Sequence, residues 1–464
     1  MTAPPTSTAP DATGATDATD PDDPAGAAPA VRLPGVYRVW LAGALVSMLG
    51  TSLMFFALGW AASAHGGMVA GAVLTAVNLP RFALLLVGGA LGDRAGAWRV
   101  MVAGDLAMVL VSLAVALSAW RFGAPVWLLL AAALLTGVVD AFYLPASGSM
   151  PRRLVGAAVL PRALALRQTG VQLTMFAGGS LGGVLVARAG LAGVALVQVG
   201  TFSLMLAVLV GIRGRFAGEG AGRGAGGSML GDIADGLRLA WRDRLLRVSL
   251  GVVSVAAAFL LPVVALLVPL LAREQGWGAE PVGLVSGAQA LGIVAVSLVV
   301  LRRGGAARPG VAAGVGLLVA GGGIAVLGLV ASPVVAVVAG LLVGAGNGLF
   351  GAHVAPLILT AAPESHLSRV QAILTMVQTG SLLLMNLTLG AAAEHIPVGV
   401  VLAGCALAVA VTGVGALCSA PLREVRRAGV PADVGAGVAR RRAPGLRPGC
   451  RPGWWSAGRG RGGR

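Results

Sequence analysis

Long apolar segments recur along most of the chain and are separated by short polar or glycine-rich joints. A bilayer core about 30 Å thick requires roughly 20 apolar residues of α-helix to cross it. Each segment has about that length, and the pattern therefore predicts twelve transmembrane helices. They are placed at 39–63, 69–91, 100–120, 124–146, 166–188, 192–212, 248–272, 280–301, 310–331, 334–360, 369–393 and 398–420.

The composition agrees with an all-α integral membrane protein. Hydrophobic residues make up 57% of the chain and charged residues 11%, and the mean hydropathy is +0.87. No soluble domain of ordinary composition reaches such values. The 72 glycines are compatible with helices, because small residues let transmembrane helices pack closely or bend. The expected bending points are Pro262 and Pro269 in the seventh helix and Gly344, Gly346, Gly348 and Gly351 in the tenth.

Arginine is distributed unevenly between the two sets of joints. One set contains Arg94, Arg99, Arg152, Arg153, Arg162, Arg213, Arg215, Arg223, Arg238, Arg242, Arg244, Arg247, Arg302, Arg303 and Arg308, whereas the other has little beyond Arg121, Arg188 and Arg273. Positively charged joints are retained in the cytoplasm, so both termini are predicted to lie there. The 34 lysine and arginine residues are all arginines, which indicates a GC-rich gene and hence a bacterial source. The predicted location is therefore the bacterial inner membrane.

The twelve helices divide into two pseudo-symmetric bundles of six, at 35–212 and 248–421. The longest joint, 213–247, separates them and is predicted to lie in the cytoplasm. It contains an apolar residue at every fourth position, namely Ile233, Leu237, Trp241 and Leu245. This spacing predicts an amphipathic helix on the inner membrane surface.

Both ends of the chain are predicted to be disordered. Residues 1–34 begin with an acidic, Pro-rich and Ala-rich stretch that lacks the positive start and apolar core of a signal peptide, and they are read as a cytoplasmic leader. Residues 422–464 form a basic tail with eleven arginines from Arg423 onward. A solvated cytoplasmic tail is the simpler interpretation of such a segment, and no nucleic-acid partner is expected.

The joint between the second and third helices carries a distinct motif. Its residues are Gly89, Asp93, Arg94, Gly96 and Arg99. Glycine permits a tight reversal, the carboxylate can face the positive end of a neighbouring helix, and the arginines hold the joint on the cytoplasmic side. The motif resembles the signature of major facilitator superfamily transporters, although Ala97 and Trp98 stand where that family usually has further basic residues.

Further segments extend this resemblance over about 35–420. They include Arg152-Arg153 with the following 161–167 segment, the amphipathic 232–247 segment, and the 363–370 joint of the second half. The chain is similar to the drug-antiporter relatives that include macrolide efflux and enterobactin export proteins. Residues 178–183 are similar to an exporter motif but lack its proline, so they indicate close packing more than antiport.

The resemblance implies a monomeric secondary transporter in the lipid bilayer. It implies proton-coupled efflux of a small amphipathic organic molecule, such as a drug, antibiotic or siderophore-like compound, by alternating access. The alternatives are an importer or uniporter of a small metabolite on the same fold, and a polytopic membrane enzyme. The enzyme is disfavoured because the sequence has no HExxH, GxSxG or P-loop motif and only four scattered histidines. No cofactor and no metal are expected.

Charged residues at membrane depth are costly and mark candidate functional positions. Arg81 falls near the middle of the second helix, and Asp105 and Asp140 in the third and fourth helices are within its reach. Arg81 and Asp140 could form a cavity-facing pair whose carboxylate exchanges protons, or a permanent structural pair. For Asp105 the structural role is favoured.

Uncharged polar residues at the same depth predict a cavity lining in both halves. The candidates are Asn78, Gln168, Gln172, Asn347, Gln371, Gln378 and Asn386, of which Asn78, Gln172, Asn347 and Gln378 are assigned to the substrate pathway. Some of them could instead hydrogen-bond neighbouring helices, which is the common use of such residues in a bundle. His353 is a candidate proton relay because imidazole titrates near neutral pH, with a packed structural histidine as the alternative.

Overall fold

The computed structural model describes residues 33–216, 243–361 and 367–425. Within these ranges the chain is helical, with short turns between helices. The long helices are α1 Gly35–Ser63, α2 Gly67–Ala95, α3 Ala97–Phe122, α4 Val126–Leu154, the run Leu160–Gly211, α7 Arg244–Glu274, α8 Ala279–Arg303, α9 Pro309–Leu329, α10 Pro333–Ala361, α11 Leu367–His395 and α12 Val398–Cys418. We call the end of the bundle that holds the α1–α2 turn the turn end, and the opposite end, where α1 begins, the terminal end.

The run Leu160–Gly211 contains two helices separated at Gly190. Its backbone there has φ 61° and ψ −166°, a conformation that essentially only glycine adopts. We call the parts on either side, 160–189 and 191–211, α5 and α6. Eleven helical runs among the described residues are long and apolar enough to cross a membrane, and the break at Gly190 makes twelve crossings. The predicted fold class is confirmed.

The helix ends differ from the predicted ones mainly at the terminal end. Helix α4 continues to Leu154 instead of ending at 146, and α5 begins at 160 instead of 166. Hydropathy marks only the part of a helix in the hydrocarbon, whereas helical hydrogen bonding continues into the polar interface.

The joint predicted at 213–247 ends earlier in the structure, because α7 begins at Arg244 instead of 248. The Asp243 carboxylate accepts a hydrogen bond from the Leu246 N–H at 2.9 Å and caps the helix. Most of the predicted amphipathic segment, up to 242, lies outside the described residues.

Each half is held by pairs of long helices. In the first half α1 and α3 pack along the α5–α6 run, and α2 packs on α4. In the second half α10 packs on α8 and α9, and α9 also packs on α12. The halves meet mainly through α5 with α8 and α2 with α11. Large apolar side chains on the outside, including Trp120, Leu301 and Leu329, are more than 80% exposed and suit contact with lipid.

Small residues close the turn end between the two halves. A Cβ on Gly67 of α2 would collide with the backbone of Gly390 in α11, and a Cβ on Gly283 of α8 would lie 2.8 Å from the Gly183 Cα in α5. Only glycine permits such backbone approach. Glycine thus allows the halves to seal at this end.

The expected bending points have different outcomes. Helix α7 changes to a π-helix at Val263–Leu267, directly after Pro262, as expected for a proline that removes a backbone donor. Helix α10 runs as one α-helix through its glycines. Gly346 and Gly348 instead let α10 lie against the backbones of α9 and α8, so packing explains them better than bending.

Candidate functional site

A cavity of about 450 Å³ lies between the two halves. Helices α1, α2 and α5 form one wall, and α7, α8 and α10 form the other. The apolar lining residues are Phe55, Phe56, Gly59, Met175, Gly179, Leu261, Val264, Ala265, Pro269, Ala290 and Ile293, and the polar ones are Thr51, Ser52, Arg81, Gln172, Ser286, Gln289 and Asn347. The volume is within the usual range for binding sites of small organic molecules.

Arg81 is the one charged side chain among the described residues that line this cavity. Its terminal Nη2 donates to Asp140 Oδ2 of α4 in an ion pair. The two helices approach closely, because Gly137 of α4 lies against the backbone of Val77 in α2. The Arg81 side chain is 25% exposed and that of Asp140 is 8% exposed, so the carboxylate lies behind the guanidinium as seen from the cavity.

Arg81 forms its ion pair with Asp140 and not with Asp105. Asp105 of α3 is fully buried, and neither carboxylate oxygen has a hydrogen-bond partner among the described residues. The Tyr143 hydroxyl lies near enough to Asp105 and Ser47 to interact electrostatically with both, although it makes no well-aligned hydrogen bond within the described chain. Tyr143 was not predicted as a site residue, since a tyrosine in an apolar helix carries no distinguishing pattern.

The predicted polar residues divide into lining and packing positions. Gln172 and Asn347 line the cavity from opposite halves. Gln378 lies with Asn347 in a smaller pocket of about 110 Å³ between α7, α10 and α11. Asn78 is buried and its Nδ2 donates to the Leu74 carbonyl one turn earlier, at 2.8 Å.

His353 is buried at the terminal end of α10, apart from the cavity. Its Nε2 accepts from the Ala306 N–H at 3.0 Å, and its Nδ1 is 2.8 Å from the Leu349 carbonyl, to which it donates when protonated there. These bonds use both nitrogens of a neutral imidazole and tie α10 to the α8–α9 turn. The contacts favour the structural alternative for this histidine.

The structure describes the signature joint in full only from Gly96 onward. Helix α2 runs to Ala95, and Gly96 joins it to α3 with φ 87°, a conformation that favours glycine. Arg99 is exposed on the first turn of α3. The side chains of Asp93 and Arg94 and the surroundings of Gly89 lie outside the described part of the chain.

A cross-half contact at the turn end was not predicted from the sequence. Arg273 of α7 lies over the Trp60 ring of α1, with its Cζ 3.7 Å from the ring centroid, and donates to the Trp60 carbonyl at 3.1 Å and to Ser63 Oγ at 3.3 Å. Glu394 of α11 accepts from the Met68 N–H at the start of α2, at 3.0 Å. We call Arg273, Glu394 and their partners the turn-end latch. A signal was present, since Arg273 is one of few cations in the arginine-poor joints.

Comparison with known sequences identifies a family. The sequence model of the Major Facilitator Superfamily matches residues 40–386. The multidrug efflux pump Tap of Mycolicibacterium fortuitum is 26% identical over 277 residues, which cover 57% of this chain and 68% of Tap.

Solved structures show the same fold at low sequence identity. A POT family transporter in complex with 5-aminolevulinic acid superimposes with a TM-score of 0.67 at 11% identity, covering 82% of this chain and 95% of that one. The nucleoside transporter NupG superimposes with a TM-score of 0.62 at 12% identity, covering 83% and 100%. The family and the fold are those of transporters.

Proposed function

This chain belongs to the Major Facilitator Superfamily, and we propose that it exports a small amphipathic organic molecule in exchange for protons. It works by alternating access, in which the two halves expose the central cavity first to one side of the membrane and then to the other. Both cavity walls come from one chain, so a monomer suffices for this cycle.

The observation that carries this proposal is the cavity at the interface of the halves. Its lining combines phenylalanines, methionine and aliphatic residues with amides, hydroxyls and one guanidinium. Such a surface holds an apolar body and orients a few polar groups. Export, as opposed to uptake, is favoured by the similarity to a protein named as a multidrug efflux pump.

Proton coupling is assigned to Asp140. Its carboxylate is paired with the guanidinium that lines the cavity, so a substrate that contacts Arg81 also changes the environment of Asp140. An ion pair in a low-dielectric site is sensitive to such a change, because an unpaired carboxylate there favours its neutral, protonated form. Binding of substrate and binding of a proton are thereby linked.

The orientation follows from the arginines. Exposed arginines at the terminal end include Arg99, Arg152, Arg303 and Arg308, whereas few lie at the turn end. The terminal end and both chain termini therefore face the cytoplasm of a bacterial cell under the positive-inside rule. The conformation described here, sealed at the turn end, is then closed to the outside. The signature joint at Gly89–Arg99 is assigned to stabilise the opposite conformation, closed at the cytoplasmic side.

The test uses proteoliposomes with purified chain and a panel of amphipathic dyes and antibiotics. An imposed proton gradient should drive transport of at least one compound against its concentration gradient by wild type. Asp140→Asn should abolish gradient-driven transport and retain passive exchange. Glu424→Gln, which neutralises an exposed carboxylate at the terminal end, serves as the matched control and should transport normally.

The same assay separates the alternatives. Accumulation by Asp140→Asn at the wild-type rate would remove Asp140 from the coupling mechanism. Transport that ignores the proton gradient would identify a uniporter, and transport only in the inward direction would identify an importer. Failure to transport any compound of the panel would contradict the proposal for amphipathic substrates.

A further inference from the structure

The charge balance of the cavity restricts the substrate further. Arg81 is the one charged group among its described lining residues, and the other polar groups there are neutral hydroxyls and amides. The balancing carboxylate, Asp140, is outside the lining and more deeply buried than the guanidinium. A molecule in the cavity therefore meets a cation before it meets any anion.

The guanidinium also has unused donors. Arginine carries five N–H groups, and the ion pair with Asp140 uses the terminal Nη2. The Arg81 Nε is buried and has no hydrogen-bond partner among the described residues. That Nε does not face the cavity, but the Arg81 side chain is 25% exposed and lines the cavity, and an acidic group is the acceptor that suits a guanidinium best.

We propose that the substrate is an amphipathic organic anion whose acidic group binds Arg81. This inference rests on the proposed function and names the class of molecule exported. The acid binds Arg81 beside Asp140 or in its place, within a planar fork that can hold a carboxylate through two hydrogen bonds. A cationic substrate would be repelled by the same group.

The remaining lining residues fit the rest of such a molecule. Phe55, Phe56 and Met175 form an apolar surface in the same half as Arg81, and Val264 and Ile293 face them from the other half. Gln289 and Asn347 offer amides on that second half. The anion is thus held by the first half, and its body spans the interface that must separate during transport.

The test measures binding of a matched probe pair to the full chain in nanodiscs. Dansyl-phenylalanine carries a free carboxylate, and dansyl-phenylalanine amide has the same body without the charge. Wild type should bind the acid at least tenfold more tightly than the amide, measured by dansyl fluorescence. Asp140→Asn should increase the affinity for the acid severalfold relative to that for the amide, because it removes the competing carboxylate.

The double variant Arg81→Gln with Asp140→Asn removes both charges, so no unpaired charge remains buried. It should lose the preference and bind the acid and the amide with similar affinity. Arg303→Gln removes an exposed arginine at the terminal end and should retain the preference. Equal affinities for acid and amide in wild type and in Asp140→Asn would overturn the inference.

The outcome is separable from that of the proposed function. Proton-driven export of the amide but not of the acid would support the transporter and contradict the anion. If the acid binds tenfold more tightly than the amide but neither probe is exported, the preference for an anion is supported. Export is then contradicted separately, by the transport measurement. Binding of neither probe would contradict the anion inference and leave the proposed function to be decided by the panel of dyes and antibiotics.

Discussion

At the scale of single residues, the sequence identifies which groups are unusual but not which ones meet. The depth of Arg81, Asp105 and Asp140 can be read from their positions in apolar segments, because a charge there is costly. Which carboxylate pairs with Arg81 depends on helix rotation and on the close approach of α2 and α4 at Gly137. Hydropathy predicts neither the rotation of these helices nor their close approach, since each helix is apolar on all sides.

The cavity lining shows the same limit. Gln172 and Asn347 were selected as polar groups at membrane depth, and they face the cavity. Asn78 has the same sequence context and is buried against its own helix. Ser286 and Gln289 were overlooked, because serine and glutamine near small residues commonly bond within or between helices.

Asp105 yields a prediction about stability. Its carboxylate is buried without a cation in the described chain, and the nearby Tyr143 hydroxyl makes no well-aligned hydrogen bond with it, so an ionised form would be expensive to bury. Asp105→Asn should therefore leave the unfolding temperature in detergent unchanged or raise it. Asp140→Asn should lower it, because that substitution removes the partner of Arg81. Equal losses for the two variants in thermal unfolding would show that Asp105 makes a charge contact of its own.

At the scale of elements, the number, order and approximate ends of the helices follow from the sequence. The reason is physical: backbone groups in hydrocarbon must bond within the helix, so apolar length and helix coincide. The interruptions are less predictable. The proline at the π-helix of α7 was recognised, whereas Gly344, Gly346 and Gly348 of α10 resemble hinges in sequence and act as contacts in the structure.

Gly190 provides a test at this scale. It separates α5 from α6 in a conformation that carries strain for any other residue, and no atom lies near its missing side chain. Gly190→Ala should lower the free energy of unfolding by about 1–3 kcal/mol from backbone strain alone. Gly200→Ala is the control, because Gly200 is helical and equally unobstructed, so alanine should be neutral or stabilising there.

Denaturant unfolding of both variants measures the difference. Equal stability of Gly190→Ala and Gly200→Ala would mean that the α5–α6 turn adopts another conformation in the membrane.

At the scale of the whole molecule, the two-bundle architecture could be predicted, and the conformational state could not. Sequence pattern is the same in every state of a transporter, because alternating access moves the halves with little change within them. Which end is closed depends on contacts between distant segments, such as Gly67 with Gly390 and Trp60 with Arg273. Arg273 is noticeable as a cation in an arginine-poor joint, but nothing local identifies Trp60 as its partner, and the contact of Gly67 with Gly390 has no local signal.

The turn-end latch should set the balance between the two states. Arg273 contacts the carbonyl end of α1 and Glu394 the amide end of α2, so each charge is placed favourably toward a helix dipole across the interface. The cation–π contact and the charge-assisted hydrogen bonds should contribute about 2 kcal/mol together in the closed turn end. The combined variant Arg273→Gln with Glu394→Gln should therefore shift the ratio of open to closed turn end by roughly thirtyfold.

Spin labels at Ala64 and Gln275, both exposed at the turn end of opposite halves, report this shift as a longer distance. They are introduced into a chain whose Cys405, Cys418 and Cys450 are replaced by alanine. The matched control, Arg121→Gln with Glu280→Gln, removes the same charges from exposed positions at the same end and should keep the short distance. If both double variants lengthen the distance equally, general electrostatics acts instead of the latch. An unchanged distance in the latch variant would contradict a role for the latch. The closed turn end would then be stabilised by the glycine contacts of α2 with α11 and α5 with α8, which do not depend on charge.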